Sequence, residues 1–269
     1  MIRLAVRVRR ADAELVLAEL LELAPGGVEE VDDGDVVEYA VYGAPGELPA
    51  MPDVRAAAGG ALVEVRTSEI GDDWSERWRE FHRPIEVAGR LRVRPPWIES
   101  KAGIEEIVID PGQAFGTGAH HTTRLCLELM CALQAPGGPL VDAGCGSGVL
   151  AIAAAKLGFG PVHAFDFDSL AVDATRDNAD ANGVALDVTR LDLRERRVPS
   201  APTVIANLLR PLLLRVAADG FDAEPPQTLI ASGLLAHEGD EVAAAFARHG
   251  LYETDRRAGG DWVALSLTR

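Results

Sequence analysis

The stretch "VDAGCGSGVLAIAAAKLG", from Val141 to Gly158, decides how the chain folds. An apolar run ends at Asp142, Gly144, Gly146 and Gly148 follow at alternate positions, and an alanine-rich helical run begins near Val149. Glycines between a buried strand and a helix let the backbone turn tightly and let a ligand approach the helix N-terminus closely. The dinucleotide fingerprint G-x-G-x-x-G does not fit, because its third glycine would fall on Val149. The stretch therefore reads as strand, ligand loop and helix, with the ligand something other than a dinucleotide.

Downstream, the strand and helix patterns alternate. "PLVDAG", "PVHAFDF", "LDVTRL", "TVIANLL" and "QTLIASGLL" are apolar or β-rich runs, separated by helical segments such as "LAVDATRDNADANG" and "GDEVAAAFARHG". The pattern begins with "RLRVRPPW" and implies an α/β fold whose mostly parallel sheet is covered on both faces. "LYETDRRAGGDWVALSLTR" reads as a closing hairpin around Gly259-Gly260, which makes the last strands antiparallel. Asp166 tips the strand "HAFDFD" about 20 residues beyond the glycine loop, the spacing of a carboxylate that bonds ribose hydroxyls. Asp168 is a nearby competitor, and Asp192 lies either near an adenine edge or in a capping position.

A second glycine cluster, "DPGQAFGTGAHHTTRLCLELM" from Asp110 to Met130, lies upstream. It lacks the lysine of a nucleotide-phosphate loop. His120 and His121 are adjacent, so their side chains diverge, and no other histidine or cysteine set accompanies them, so no metal is expected. Thr122 or Thr123 would cap the helix that follows, and the same helix start could touch a ligand.

Residues 1–66 read as a small α+β unit. "IRLAVRVR" alternates as a strand, "ADAELVLAELLELA" spaces leucines for a helix that stops at Pro25-Gly26-Gly27, and Asp33-Gly34 marks a hairpin. In "DDWSERWREFHRPI", Trp74, Trp78 and Phe81 share one helix face, a packing stripe on a linker over 67–84 with a hinge there. Residues 85–269 form the larger domain.

Hydrophobic residues make up 48% of the 269, enough for a sizeable core, and no run reaches the ~20 apolar residues of a membrane span. The N-terminus lacks a signal-peptide pattern, and three cysteines without a CxxC pair favour a reducing cytoplasm. A net charge of −16 disfavours exposed nucleic acid and favours a small molecule or a basic protein.

The spacing of Asp142, Gly144, Gly146 and Gly148 is similar to the first motif of the class I methyltransferases, which bind S-adenosylmethionine. "DPGQAFGTGAHHTT" with "DAGCGSGVLAIAA", "ANLL", "DDWSERWREFHRP" and "LRVRPPW" resembles the PrmA family, bacterial methyltransferases acting on ribosomal protein L11. The likeness weakens over the first 60 or so residues. It implies a Rossmann-like domain with a mostly parallel seven-stranded sheet, and a small ferredoxin-like N-terminal domain for substrate recognition. It also implies that Thr123, Gly144, Gly146, Asp166 and Asn207 bind the donor, and that Phe115 and Gly116 belong to a loop closing over it. Ala119, His121 and Arg210 depart from the commonest family residues, Arg210 bearing on substrate preference.

Methyl transfer to an amine is an in-line displacement on an activated carbon, which needs alignment and exclusion of water more than a strong base. Asn207 is the candidate catalytic residue, orienting donor or amine, with a strand-end cap as the competing role. The residues after it are Leu208-Leu209-Arg210, whereas enzymes methylating base amino groups resemble one another in (Asp/Asn)-Pro-Pro-(Tyr/Phe). The expected function is methylation of lysine and N-terminal amines of ribosomal protein L11, by a cytoplasmic monomer without direct nucleic-acid contact. The alternatives are a lysine methyltransferase for another protein and a non-catalytic, donor-binding ribosome-assembly factor.

Overall fold

The computed structural model of the chain describes residues 2–24, 28–43, 48–69, 83–110, 120–133 and 137–269. It divides into two compact units, Met1–Phe81 and His82–Arg269.

The first unit runs β1 (Ile2–Arg9), α1 (Ala13–Leu23), β2 (Glu29–Asp33), β3 (Val36–Gly43), α2 (Met51–Ala58) and β4 (Leu62–Glu69). Its sheet has the order β2-β3-β1-β4, all pairs antiparallel, which is the split βαβ arrangement of ferredoxin-like domains. Period-two alternation sends Leu4, Val6 and Val8 of β1 into one core with Val16 and Leu20 of α1 and Val54 of α2. Tyr39 is buried there and donates its hydroxyl to Ala13 O at 3.0 Å, tying β3 to the start of α1. β4 continues to Glu69 because Ile2 and Arg3 pair with Glu69 and Ser68, so a boundary at residue 66 would cut this ladder. The helix stop at Pro25-Gly26-Gly27, the loop residues Phe115, Gly116 and Ala119, and the linker stripe of Trp74, Trp78 and Phe81 lie outside the described residues.

The second unit opens with β5 (Ile85–Val87), β6 (Leu91–Arg94) and β7 (Glu105–Val108), which form a sheet of their own. "RLRVRPPW" is thus a strand, but it joins this small sheet and not the parallel one. Period alone does not tell which sheet a strand joins. Glu106 fixes the pairing from the side: it receives hydrogen bonds from Arg92 and, at 2.8 Å, from Arg94 Nε.

The remaining elements are α3 (His121–Ala132), β8 (Leu140–Ala143), α4 (Val149–Lys156), β9 (Val162–Asp166), α5 (Ser169–Asn182), β10 (Asp187–Arg190), β11 (Thr203–Asn207), α6 (Arg210–Asp219), β12 (Thr228–Leu235), α7 (Gly239–Phe246), β13 (Tyr252–Gly259) and β14 (Trp262–Thr268). The seven strands run in the order β10-β9-β8-β11-β12-β14-β13. The first five are parallel to one another. The closing hairpin inserts β14 between β12 and β13, so β14 alone runs against the others. The sequence reading made both last strands antiparallel; the hairpin folds back, and β13 regains the parallel sense at the edge. Alternate residues of the central strands enter two cores. Leu140, Ile205 and Ile230 pack with α3 and α4, while Val141, Val204 and Leu229 pack with α6 and α7. Burial on both faces is why these strands read as continuous apolar runs.

Candidate active site

Strand order reverses between β8 and β11: the chain passes from β8 to β9 and β10 on one side, then returns to β11 and β12 on the other. In open α/β sheets such a reversal opens a ligand crevice at the carboxyl ends of the strands. The register brings the sequence-predicted residues there. Ala143 pairs with Ala206 of β11 and with Phe165 of β9. One residue further on, Gly144, Asn207 and Asp166 therefore emerge side by side from three adjacent strands.

The glycine loop is held by its own backbone. The N–H groups of Gly144 and Cys145 both donate to Phe165 O, at 2.9 and 3.0 Å, and Gly148 N donates to Cys145 O at 2.8 Å. Gly144, Gly146 and Gly148 all take positive φ, at 78°, 53° and 82°. Such angles are costly for any residue with a Cβ. At Gly144 an added Cβ would lie 2.5 Å from Leu208 Cδ2, and at Gly148 it would lie 2.8 Å from Thr175 Cγ2.

Asp166 is buried, and both of its oxygens are engaged. Oδ2 accepts from Gly146 N and Oδ1 from Asp168 N, each at 3.1 Å. Burial pushes its carboxyl upward, against the hydrogen bonds from Asp168 and Gly146. Each carboxylate oxygen retains a second lone pair for a ligand hydroxyl. Of the two aspartates left open by the sequence, Asp166 faces the glycine loop, whereas Asp168 caps α5 by accepting from Leu170 N at 2.9 Å. Asp192 accepts from Arg194 N at 2.8 Å and pairs with the Arg194 side chain, a turn-capping arrangement.

Asp142 is fully buried behind the loop. Its Oδ2 accepts from Ala151 N at 3.0 Å, serving the start of α4 as a cap that Gly148, lacking a side chain, does not supply. Its Oδ1 has no hydrogen-bond partner among the described residues. Burial pushes this carboxyl up to about 7, opposed by the Ala151 N–H and helped by the charge of Asp166.

Thr123 sits buried in the first turn of α3, with its hydroxyl 3.5 Å from Asn207 Nδ2. The helix cap is not a threonine, however. His120 occupies the N-cap position, where its Nδ1 accepts from Thr122 N at 3.3 Å and meets Thr122 Oγ1 at 2.8 Å. Its ring stands edge-on to Trp262, with centroids 4.9 Å apart. That contact holds the imidazole at the helix start and leaves both threonines inside the first turn. His121 turns away toward the β13–β14 turn, where a Cβ on Gly259 would lie 3.4 Å from its Nδ1. Among the described residues, no group of three His, Cys, Asp or Glu side chains gathers to hold a metal ion.

The sequence profile of the ribosomal protein L11 methyltransferase (PrmA) family matches residues 53–269. The chain belongs to this family. It is 34% identical to the ribosomal protein L11 methyltransferase of Pelotomaculum thermopropionicum, over 98% of this chain and 97% of that one. The namesake protein of Pseudomonas putida GB-1 is 40% identical over 80% of this chain and 75% of its own length. The crystal structure of ribosomal protein L11 methylase from Lactobacillus delbrueckii subsp. bulgaricus superposes with a TM-score of 0.64 at 27% identity, covering 70% of this chain and 99% of that one. Membership makes the chain a methyltransferase that uses S-adenosylmethionine.

The local chemistry fits that family's donor. The Asp166 carboxylate at the strand end suits ligand hydroxyls, and the tight glycine backbone beside it suits close approach. Gly233, which is not among the residues expected from the sequence, makes a close backbone approach beside the glycine loop. A Cβ there would lie 2.4 Å from Leu208 O, and the β12–β14 register shifts between Ala231 and Leu234. Leu208 thus passes between Gly144 and Gly233. A lone glycine inside a strand is the sequence signal for such a bulge and close approach. Arg210 is paired with Glu238 at 3.0 Å and Glu241 at 2.8 Å, which accounts for it as a link between α6 and the start of α7.

Proposed function

We propose that this chain methylates ribosomal protein L11 on amines, namely lysine side chains and the N-terminal α-amine. In this reading Thr123, Gly144, Gly146, Asp166 and Asn207 hold the donor, and the unit Met1–Phe81 recognises the protein substrate. The observation that carries it is the emergence of Gly144, Asp166 and Asn207 side by side where strand order reverses, with Thr123 within 3.5 Å of Asn207.

S-adenosylmethionine, when bound, supplies a methyl group activated on a positively charged sulfur. The chain's residues then bind and align. Asp166 accepts from ribose hydroxyls while its existing bonds keep the carboxylate fixed against the loop. The Asn207 amide oxygen orients the donor or the incoming amine, with Nδ2 directed at Thr123. The amine must arrive neutral, and alignment with exclusion of water supplies the rate.

A net charge of −16 favours a basic protein partner. No described helix is long and apolar enough to cross a membrane. The same reading has the enzyme act in the cytoplasm, as a monomer, on protein and not on nucleic acid.

Peptide mapping of purified ribosomal protein L11 after incubation with enzyme and donor tests the amine specificity. Methyl marks on lysines and the N-terminal residue are expected. Marks confined to other side chains would overturn it.

A further inference from the structure

Three polar residues of α5, Thr175, Asn178 and Asn182, lie on one helix face at i, i+3 and i+7. Asparagine is a poor helix-interior residue, and burying its amide is costly unless both ends are bonded. Asn178 is only 5% exposed, and both ends are bonded. Its Nδ2 donates to Ser147 O at 2.8 Å, inside the glycine loop. Its Oδ1 accepts from Asp110 N at 3.0 Å, where the chain leaves β7. One end faces a carbonyl and the other an N–H, so the amide has a single satisfied orientation.

Two neighbours complete the arrangement. Thr175 donates its hydroxyl to Gly146 O at 3.0 Å, so successive carbonyls of the glycine loop are both held by α5. Asn182 accepts from Val108 N at 2.8 Å and donates to Val108 O at 2.6 Å. Ile109 N faces β6 through Arg94 O, so Val108 and Asp110 face the other way, off the edge of the small sheet. The two asparagines stand where a fourth strand would.

Resting on the donor-site reading above, we propose that Asn178 is a positioning residue of that site. It locks the glycine loop to the exit of β7, and so fixes the Gly146 N–H against Asp166. Asn182 bonds the same strand but does not reach the loop, which makes it the internal control.

The test uses the full chain, with S-adenosylhomocysteine as the calorimetric probe and thermal unfolding alongside. Asn178→Ala is expected to weaken binding about tenfold, the scale of one lost hydrogen bond that orders the loop. In turnover the donor KM rises while kcat at saturating donor changes less. Asn182→Ala is expected to lower the melting temperature while leaving affinity within about threefold of wild type, a loss smaller than one such bond. Asn178→Asp keeps the acceptor for Asp110 N but loses the donor to Ser147 O, so it should follow Asn178→Ala, and it carries the comparison if the alanine variant does not fold. Equal binding by wild type and the Asn178 variants, or an equal loss in Asn182→Ala, overturns the proposal alone. A wild-type protein that binds no S-adenosylhomocysteine overturns the donor-site reading and this proposal with it.

Discussion

Asn207 and Thr123, 84 residues apart in sequence, meet at the carboxyl end of the sheet with the Asn207 amide nitrogen 3.5 Å from the Thr123 hydroxyl. The distance is at the outer limit of a hydrogen bond, and such contacts tighten when a ligand fills the site. Asn207→Ala is expected to lower kcat/KM by roughly tenfold to a hundredfold, with folding stability little changed, because it removes alignment and not core. Steady-state kinetics with both substrates varied would check this. Unchanged turnover and donor affinity would end the assignment of Asn207.

Leu208 passes between two glycines, and the two should differ in tolerance. At Gly233 an added Cβ meets backbone, Leu208 O at 2.4 Å, whereas at Gly144 it meets the end of a flexible side chain. Gly233→Ala is expected to cost roughly 2–4 kcal/mol, combining overpacking with an unfavourable positive φ. Gly158 also has positive φ, at 96°, but nothing within 4 Å, so Gly158→Ala should cost only about 1–2 kcal/mol. Chemical denaturation of the two variants compares them directly, and equal losses would contradict the close approach at Leu208.

Asp142 makes stability depend on pH in an unusual direction. Its folded pKa, about 7, lies above the ordinary value of 3.8, so its contribution is full below pH 3.8 and is lost as pH rises through 7. Asp142→Asn, neutral throughout, should match wild type near pH 4 and melt at higher temperature by pH 8. Melting curves that stay parallel across this range would show that the carboxyl is not the source.

Glu106 works with the opposite sign. Burial pushes its carboxyl up, but hydrogen bonds from Arg94, Lys101 N and Arg92 outweigh this and hold it at about 2, below the ordinary 4.5. Its contribution is present above pH 4.5 and is lost as pH falls through 2. Glu106→Gln leaves the buried Arg92 without its carboxylate and should cost about 2–4 kcal/mol at pH 7. The gap to wild type, followed by denaturation at falling pH, should close toward pH 2.

Much of this was legible in the residues. Strands buried on both faces announce themselves as continuous apolar runs, and three glycines between a strand and a helix mark a ligand loop whatever surrounds them. Its distance from that loop singles out Asp166, whose carboxylate accepts from Gly146 N. What stayed hidden depends on partners far away in sequence. The insertion of β14 ahead of β13 is a matter of which hairpin arm finds β12, and both arms carry the same period. His120 caps α3 because Trp262, 142 residues further along the chain, supplies a face for its ring. Ser and Thr are the commoner caps, so local preference pointed to the neighbouring threonines. The asparagines of α5 carry no signal of their own in the helix pattern, because their carbonyl and N–H partners lie in a strand and a loop that this pattern does not foretell.

The most direct measurement is the intact mass of purified ribosomal protein L11 after incubation with S-adenosylmethionine and either this enzyme or its Asp166→Ala variant. The structure predicts mass increments of whole methyl groups with the wild type and none with the variant. An unmodified substrate beside a wild type that binds the donor, or full methylation by Asp166→Ala, would contradict it.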